Sequence, residues 1–310
     1  MAGSLLQLFP KESRTFWERL CGREESLQEI RLRANRPIFV LSDQGEQMLG
    51  PDGRYTKEES RAVVAGEKEI GDILQHVCHY SLYAFEDELR QGFVTVAGGH
   101  RVGIAGQVVL EGEKIRTIKH ISCLNIRVAH QIKGVAAPVL PQLYLEGKIL
   151  NTLIISPPGC GKTTLLRDLV RQVSDGNSYG RGLSVGIVDE RSEIAGCFQG
   201  MPQNDVGKRT DVLDGCPKEQ GMMILLRAMS PSVIAVDEIG SKKDIEAIHM
   251  ASRCGCNILA TIHGEGIEDV SGREGMGKLM EEGLFERILI LTKKQGKFTI
   301  QVQEGGKKLG

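Results

Sequence analysis

A short apolar run, Leu153-Ile154-Ile155, feeds directly into Ser156-Pro157-Pro158-Gly159-Cys160-Gly161-Lys162-Thr163-Thr164. No other stretch of the chain narrows its fold so far. A strand that enters a glycine-bearing loop and leaves in a helix turns consecutive backbone N–H groups inward. The helix N-terminus adds positive potential, so the loop is built around an anion. Gly159 and Gly161 let the backbone approach phosphates with no Cβ in the way. Lys162 is placed to reach β- and γ-phosphates, and the Thr163 hydroxyl to ligate Mg²⁺. The usual pattern begins with glycine, whereas Ser156 holds that position here. The start of the loop must therefore avoid a strongly positive φ. The predicted ligands of residues 156–164 are ATP and Mg²⁺.

The surroundings of this loop read as one architecture. Short, fully apolar segments at residues 153–155, 183–188, 233–236 and 258–261 alternate with amphipathic ones at 221–229 and 244–253. Apolar strands bounded by helices imply an α/β, mostly parallel sheet covered on both faces. Residues 285–291 and 298–302 flank Lys293-Lys294-Gln295-Gly296-Lys297, a hairpin predicted to add antiparallel strands at the sheet edge. The tail 303–310 is polar and expected to fray.

The first part of the chain has a different rhythm. Residues 29–33 alternate polar and apolar side chains, and 37–41 follow closely enough to pair with them. Ile70, Ile73, Leu74, Val77 and Cys78 recur at helical spacing. Residues 93–109 read as a glycine-broken hairpin, with 93–96 and 101–104 as strands and 97–100 as the turn. Residues 133–138 are the predicted linker. The expected organisation is a smaller α+β domain over 1–135 and an α/β P-loop domain over 136–310. A chain of 310 residues suits two cores.

Chemistry gathers beyond the carboxyl ends of strands in such sheets. Val233-Ile234-Ala235-Val236 ends in Asp237-Glu238. Asp237 is predicted to hold Mg²⁺ through its water shell, and Glu238 to polarise an attacking water. A kinase passing phosphate to a substrate need not activate water, so Glu238 favours a hydrolase. Asp189-Glu190-Arg191 follows one strand and Thr261-Ile262-His263 another. His263 either senses a γ-phosphate by hydrogen bonding or is a structural turn histidine. Arg191 and Arg227 are the candidate arginines within this half, and Arg31, Arg33, Arg101 and Arg127 lie in the other. One or two are candidate arginine fingers, acting in cis or in trans.

Composition limits the alternatives. A formal net charge of -1 and 5% aromatic residues offer neither a basic track nor stacking platforms. No nucleic acid is therefore expected, although a RecA-like nucleic-acid-dependent ATPase is the alternative reading. A nucleotide-binding scaffold without turnover is opposed by Glu238. The eight cysteines are scattered, the only close pair being Cys254 and Cys256, which argues against a zinc ribbon or a disulfide framework. They are expected to be reduced and mostly buried. No apolar run approaches the length of a membrane-spanning helix. The first residues lack a basic start followed by a long apolar core. A cytoplasmic location is expected.

Four motifs in this order carry a resemblance. The C-terminal half resembles the RecA-like domain of type II and type IV secretion ATPases, which share a P-loop, an Asp box, a Walker B and a His box. The matching residues are 156–163, Asp189-Glu190, Asp237-Glu238 and Thr261-Ile262-His263. Residues 187–196 (IVDERSEIAG), 234–240 (IAVDEIG), 260–264 (ATIHG) and 29–40 (EIRLRANRPIFV) are similar to the stage III sporulation AA family of endospore-forming bacteria. The resemblance implies catalytic roles around Glu238, Glu190 and His263, with Arg191 or Arg227 assisting. It implies a homo-oligomeric ring, usually a hexamer, with nucleotide near the subunit boundary. It also implies membrane-embedded sporulation channel proteins as partners, so that the chain is peripheral at the membrane through a protein. Three departures matter. Many secretion ATPases have glycine where Asp237 stands, so Glu238 alone transfers cleanly. Their Asp box often reads Glu-Asp-Pro, which leaves open which acid acts here. The tetracysteine zinc site of the type II enzymes has no counterpart.

Overall fold

The structure, a computed structural model, describes residues 4–81, 85–294 and 297–306. They fall into two compact units. One comprises the chain up to His130 together with Gly196–Gln203, and the other comprises Gln131–Ala195 and the chain from Asn204 onward.

The first unit is built on an antiparallel sheet. Its strands are β1 (Leu27–Arg33), β2 (Phe39–Ser42), β3 (Gly45–Leu49), β4 (Tyr55–Thr56), β5 (Phe93–Thr95), β6 (Arg101–Glu111) and β7 (Lys114–Arg127). They lie in the order β4-β3-β2-β1-β7-β6-β5. The alternation at 29–33 does what period two demands: Ile30 and Leu32 are buried, and Arg31 and Arg33 face the other way. The unit also holds helices α1 (Arg14–Cys21), α2 (Glu67–Val77) and α3 (Glu86–Gln91). Ile30, Leu32, Val40, Val102, Leu124 and Ile126 share one core with Ile70, Ile73, Leu74 and Val77 of α2. On the opposite, polar face Glu29 takes Arg31 at 2.6 Å and Arg127 at 3.3 Å, and the Arg101 guanidinium stacks 4.4 Å from the centre of the Phe93 ring. The expected pairing of 29–33 with 37–41 and the hairpin at 93–104 are both present. In the hairpin turn Gly98 has φ 85°, and a Cβ there would meet the Ser4 hydroxyl at 2.5 Å. β7 is an addition to the elements expected from sequence. The half nearest its tip pairs only with β6 and carries exposed lysine and arginine instead of a clear alternation.

His100 closes this turn and is 1% exposed. Its Nδ1 accepts from the Ala129 amide at 3.1 Å, and its Nε2 lies 3.0 Å from the Ser4 hydroxyl. Burial, and secondarily the charge of His130, push its pKa down to about 4. The amide bond to Nδ1 points the same way, since it is available only to the neutral ring.

The second unit is α/β. Its elements are β8 (Thr152–Ser156), α4 (Lys162–Asp175), β9 (Val185–Asp189), β10 (Thr210–Asp214), α5 (Lys218–Ala228), β11 (Val233–Val236), α6 (Lys242–Arg253), β12 (Asn257–His263), β13 (Arg287–Lys294) and β14 (Lys297–Glu304). The sheet order is β10-β9-β11-β12-β8-β13-β14, parallel throughout except at the β13–β14 pair. β8, β9 and β11 are buried along their whole length, which explains their unbroken apolar runs. α6 opens on a capping box in which Ser241 and Asp244 bond each other's backbone amides.

Two expectations need correction. β13 does not run antiparallel to the body of the sheet: it pairs parallel with β8, and only β14 turns back. The short helices Ile267–Ser271 and Met276–Glu281 carry the chain across before β13 starts, and parallel pairing requires such a crossover. Gln295 and Gly296 of the expected turn lie outside the described residues. The tail is shorter than expected, because Gln303 and Glu304 belong to β14; residues 307–310 lie outside the described residues. Within residues 133–138, the predicted linker, Ala136 is fully buried and its amide donates to Asp168 at 2.9 Å. Of the cysteines, Cys21, Cys78, Cys160, Cys197 and Cys256 are buried.

Candidate functional site

The glycine loop grows out of β8 with no strain at its first residue. Ser156 stays within the strand, in register with His263, and its carbonyl accepts from the Gly264 amide at 3.1 Å. Left-handed backbone is confined to Gly159 (φ 73°) and Gly161 (φ 84°), so a serine at the first position costs nothing conformationally. The Ser156 hydroxyl donates to the Pro157 carbonyl at 3.0 Å. Pro158, Gly159 and Gly161 are exposed, Pro157 and Thr164 half-buried and Cys160 buried. α4 begins at Lys162, directly after Gly161.

Lys162 is 6% exposed, and its ammonium is held by two groups from other strand ends. It donates to Glu238 Oε1 at 2.9 Å and lies 3.2 Å from His263 Nε2. His263 Nε2 in turn lies 2.8 Å from the same Glu238 oxygen. The Thr163 hydroxyl donates to Asp237 Oδ2 at 2.6 Å. Arg191 Nη1 donates to Glu238 Oε2 at 2.8 Å. Lys162, Thr163, Asp237, Glu238, His263 and Arg191 thus meet in one cluster, drawn from the ends of four elements.

The hub of the cluster is a residue to which the sequence alone assigns no role of its own. Thr261 is fully buried on β12, which lies between the glycine-loop strand and the acid-bearing strand. Its hydroxyl accepts from the Glu238 amide at 2.8 Å and donates to Asp237 Oδ1. The Ile239 amide donates to the Thr261 carbonyl at 2.9 Å. These bonds hold Glu238 at φ 56°, a left-handed conformation that a glutamate rarely adopts. The available signal was a hydroxyl on an otherwise apolar, fully buried strand.

Burial pushes the Glu238 carboxyl up, but the Lys162 hydrogen bond and the charges of Lys162, His263 and Arg191 outweigh it and hold the pKa below its ordinary value. The carboxylate is therefore ionised and fixed at both oxygens.

The remaining candidates are placed differently. Asp189 is 2% exposed and turns back on its own backbone, accepting from the amides of Glu193 (2.8 Å), Ile194 (3.0 Å) and Ala195 (2.8 Å). Glu190 lines the same small cavity as Asp237 and Glu238, but its carboxylate pairs with Lys218 at the start of α5. Arg227 is not brought to the cluster. It is exposed on the last turn of α5, a helix that returns to the amino ends of the strands, where Ser232 bonds the Ser184 carbonyl. A helix joining two parallel strands puts its C-terminus at the end opposite the crevice. Among the described residues no group of three or more His, Cys, Asp or Glu side chains could hold a metal. The Thr163 hydroxyl and Asp237 carboxylate do fit Mg²⁺, which keeps most of its shell for waters and phosphate oxygens. Among the described residues no helix is long and apolar enough to cross a membrane.

The family described as "Sporulation stage III, protein AA" matches residues 3–308. Stage III sporulation protein AA of Bacillus subtilis (strain 168) is 43% identical over 274 residues, covering 88% of this chain and 85% of that protein. Among solved structures, the Legionella pneumophila ATPase DotB aligns with a TM-score of 0.58 at 16% identity, over 96% of this chain and 81% of DotB. The pilus retraction motor PilT with bound ADP aligns with a TM-score of 0.59 at 14% identity, over 91% and 80% of the two chains. At such identities the likeness to DotB and PilT is one of fold, and that fold is the RecA-like P-loop fold of the secretion ATPases.

Proposed function

The chain belongs to the stage III sporulation protein AA family, and from that premise we propose that it binds and hydrolyses ATP as a motor of the secretion-ATPase type. One observation carries the reading: the loop lysine, the hydroxyl–carboxylate pair, an ionised glutamate, His263 and Arg191 converge from four elements on one point. The loop amides from Gly159 onward cradle phosphate oxygens, the two prolines before them having no N–H, and Lys162 neutralises charge on the β- and γ-phosphates. Thr163 and Asp237 would hold Mg²⁺, which when bound would supply charge neutralisation at the phosphates.

Glu238 is the base. As the ammonium of Lys162 turns from Glu238 to phosphate, the carboxylate loses a cation that depresses its basicity and becomes better able to take a proton from water. His263, touching both Lys162 and Glu238, reports the exchange. Arg191 is the in-cis arginine at the base. Glu190 acts at most through Lys218 and not on water directly. The bound ADP of PilT supports nucleotide as the ligand of this fold.

The finer assignments rest on the family. We place the boundary between an N-terminal domain and the ATPase domain at 135/136, and the active form as a homo-hexameric ring in the cytoplasm. A neighbour's Arg101 or Arg127 completes each site, and the ring energises a membrane-embedded sporulation channel between mother cell and forespore. Phosphate release by the wild type and by Lys162→Ala, with and without single-stranded DNA, tests the core of the reading. The expected result is turnover by the wild type, indifferent to DNA, and none by the variant. Wild-type turnover by Lys162→Ala would falsify it.

A further inference from the structure

Asp189, Glu190 and Arg191 stand at the end of β9 and the start of the turn after it, and their hydrogen bonds divide their tasks. Both oxygens of Asp189 accept from the amides of Glu193, Ile194 and Ala195, so this carboxylate is engaged by its own backbone even though it borders the cavity of Asp237 and Glu238. The carbonyls of the same turn are tied from the other side. Arg167, on the second turn of α4, donates to the Glu193 and Ile194 carbonyls. Asn204 donates to the Ile194 carbonyl at 3.0 Å, and its amide to the Ala195 carbonyl at 2.9 Å. Donors and acceptors of residues 193–195 are thus both engaged. The turn they close passes through Ser192 at φ 52°, and Arg191, next to it, is the residue that reaches Glu238. The Arg191 side chain is 65% exposed, so packing restrains it little. The backbone that carries it sets where this side chain starts toward Glu238.

We infer that Asp189 and Arg167 are positioning residues for hydrolysis: they lock the 189–195 turn so that Arg191 engages the second oxygen of Glu238 and orients its carboxylate. An aspartate is required because one carboxylate must satisfy three amides; an asparagine keeps a single acceptor oxygen and sets an NH₂ against an N–H. Arg167 lies on the helix that starts at Lys162, so the lock joins the phosphate loop and the turn bearing Arg191 to a common support. The inference rests on the ATPase reading above and adds a task to the acid of the Asp box that is structural in means and catalytic in consequence.

A double-mutant cycle on the full-length chain tests it. Asp189→Asn, Arg191→Ala and the double variant are compared for kcat, KM, affinity for a fluorescent ATP analogue and thermal unfolding. Each single change is expected to lower kcat on the order of tenfold, the worth of one charge-assisted hydrogen bond, with analogue affinity within about twofold. The double variant is expected to be no slower than Arg191→Ala alone, because Asp189 acts only through Arg191. Arg191→Lys is expected to retain part of kcat when Asp189 is present, and to lose that part when it is combined with Asp189→Asn. If Asp189→Asn fails to fold, Arg167→Lys enters the same cycle in its place. Losses that multiply would overturn the inference, as would a fall in analogue affinity equal to the fall in kcat. A wild-type chain without ATP turnover would instead sink the ATPase reading itself.

Discussion

Thr261→Val is the most informative single change in this site. Valine matches the shape of threonine and keeps the buried packing of β12, so the substitution removes hydrogen bonds and little else. Two are lost: the Glu238 amide loses its acceptor and Asp237 Oδ1 loses a donor. A buried amide left without a partner costs about 1–3 kcal/mol. Asp237 keeps its bond to Thr163 at 2.6 Å, so its share is smaller. Stability is expected to fall by about 2 kcal/mol, read by urea unfolding. Activity suffers more. Glu238 sits in a left-handed conformation that disfavours an L-residue by about 1–2 kcal/mol, and the lost bond is the one made by its own amide to hold it there, leaving only the Ile239 bond beside it. Once its backbone relaxes, the carboxylate leaves the point where Lys162 and His263 now meet it. Losing an aligned base lowers kcat about a hundredfold, the low end of what general-base catalysis contributes. The loop amides and Lys162 are untouched, so ATP affinity changes little. Thr261→Ser keeps both bonds and is expected to remain near wild type. A Thr261→Val enzyme with kcat within about twofold of wild type would refute the assignment of Thr261 as the hub.

Glu238→Gln is expected to bind ATP and to hydrolyse it at least about a hundredfold more slowly, because the amide keeps the shape and accepts a proton poorly; equal losses in binding and single-turnover hydrolysis would make Glu238 structural. His100 gives the first unit an acid sensitivity. Its pKa is about 4 when folded and 6.5 ordinarily, so the unfolded chain takes up the proton first and stability drains as pH falls from 6.5 toward 4. Between roughly pH 7.5 and pH 5 this amounts to about 2 kcal/mol, and His100→Gln should flatten the urea-midpoint profile by that much; an unchanged slope contradicts it. Specific activity is expected to rise with protein concentration, and mixing Lys162→Ala subunits with Arg101→Ala/Arg127→Ala subunits should restore turnover; flat activity on dilution with a monomer by light scattering sinks a trans arginine.

The parts of this molecule that were legible in the sequence share a cause. β8, β9 and β11 are buried on both faces, and such strands announce themselves as unbroken apolar runs ending in the residues that work. β10, by contrast, is an edge strand of half-buried Thr210, Asp211, Val212 and Leu213, and nothing in that composition separates it from a loop. Side-chain direction was the harder matter. Asp189 stands at a strand end just as Asp237 does, and only the path of residues 193–195 decides that its oxygens turn inward to the backbone. Arg227 looked close to the crevice in sequence, but the direction of α5 carries it to the other end of the sheet. Thr261 was invisible as a hub because threonine is ordinary in strands, and its partners lie 23 and 24 residues away. The grouping of Gly196–Gln203 with the first unit is equally non-local.

β12 is flanked by the two strands that deliver the loop and the paired acids, and it contributes Thr261 and His263 at alternate positions. Strand side chains alternate, so deleting one residue ahead of Thr261 would bring Ile262 into the polar cluster and turn both working residues to the opposite face. The segment from Asn257 to His263 therefore has a fixed length, whatever its individual residues become. Lengthening is tolerable only beyond Gly264, where the chain has left the strand and a turn can absorb it. A scan of single-codon insertions through this region would mark the working end of the sheet as a sharp frontier between lethal and silent positions.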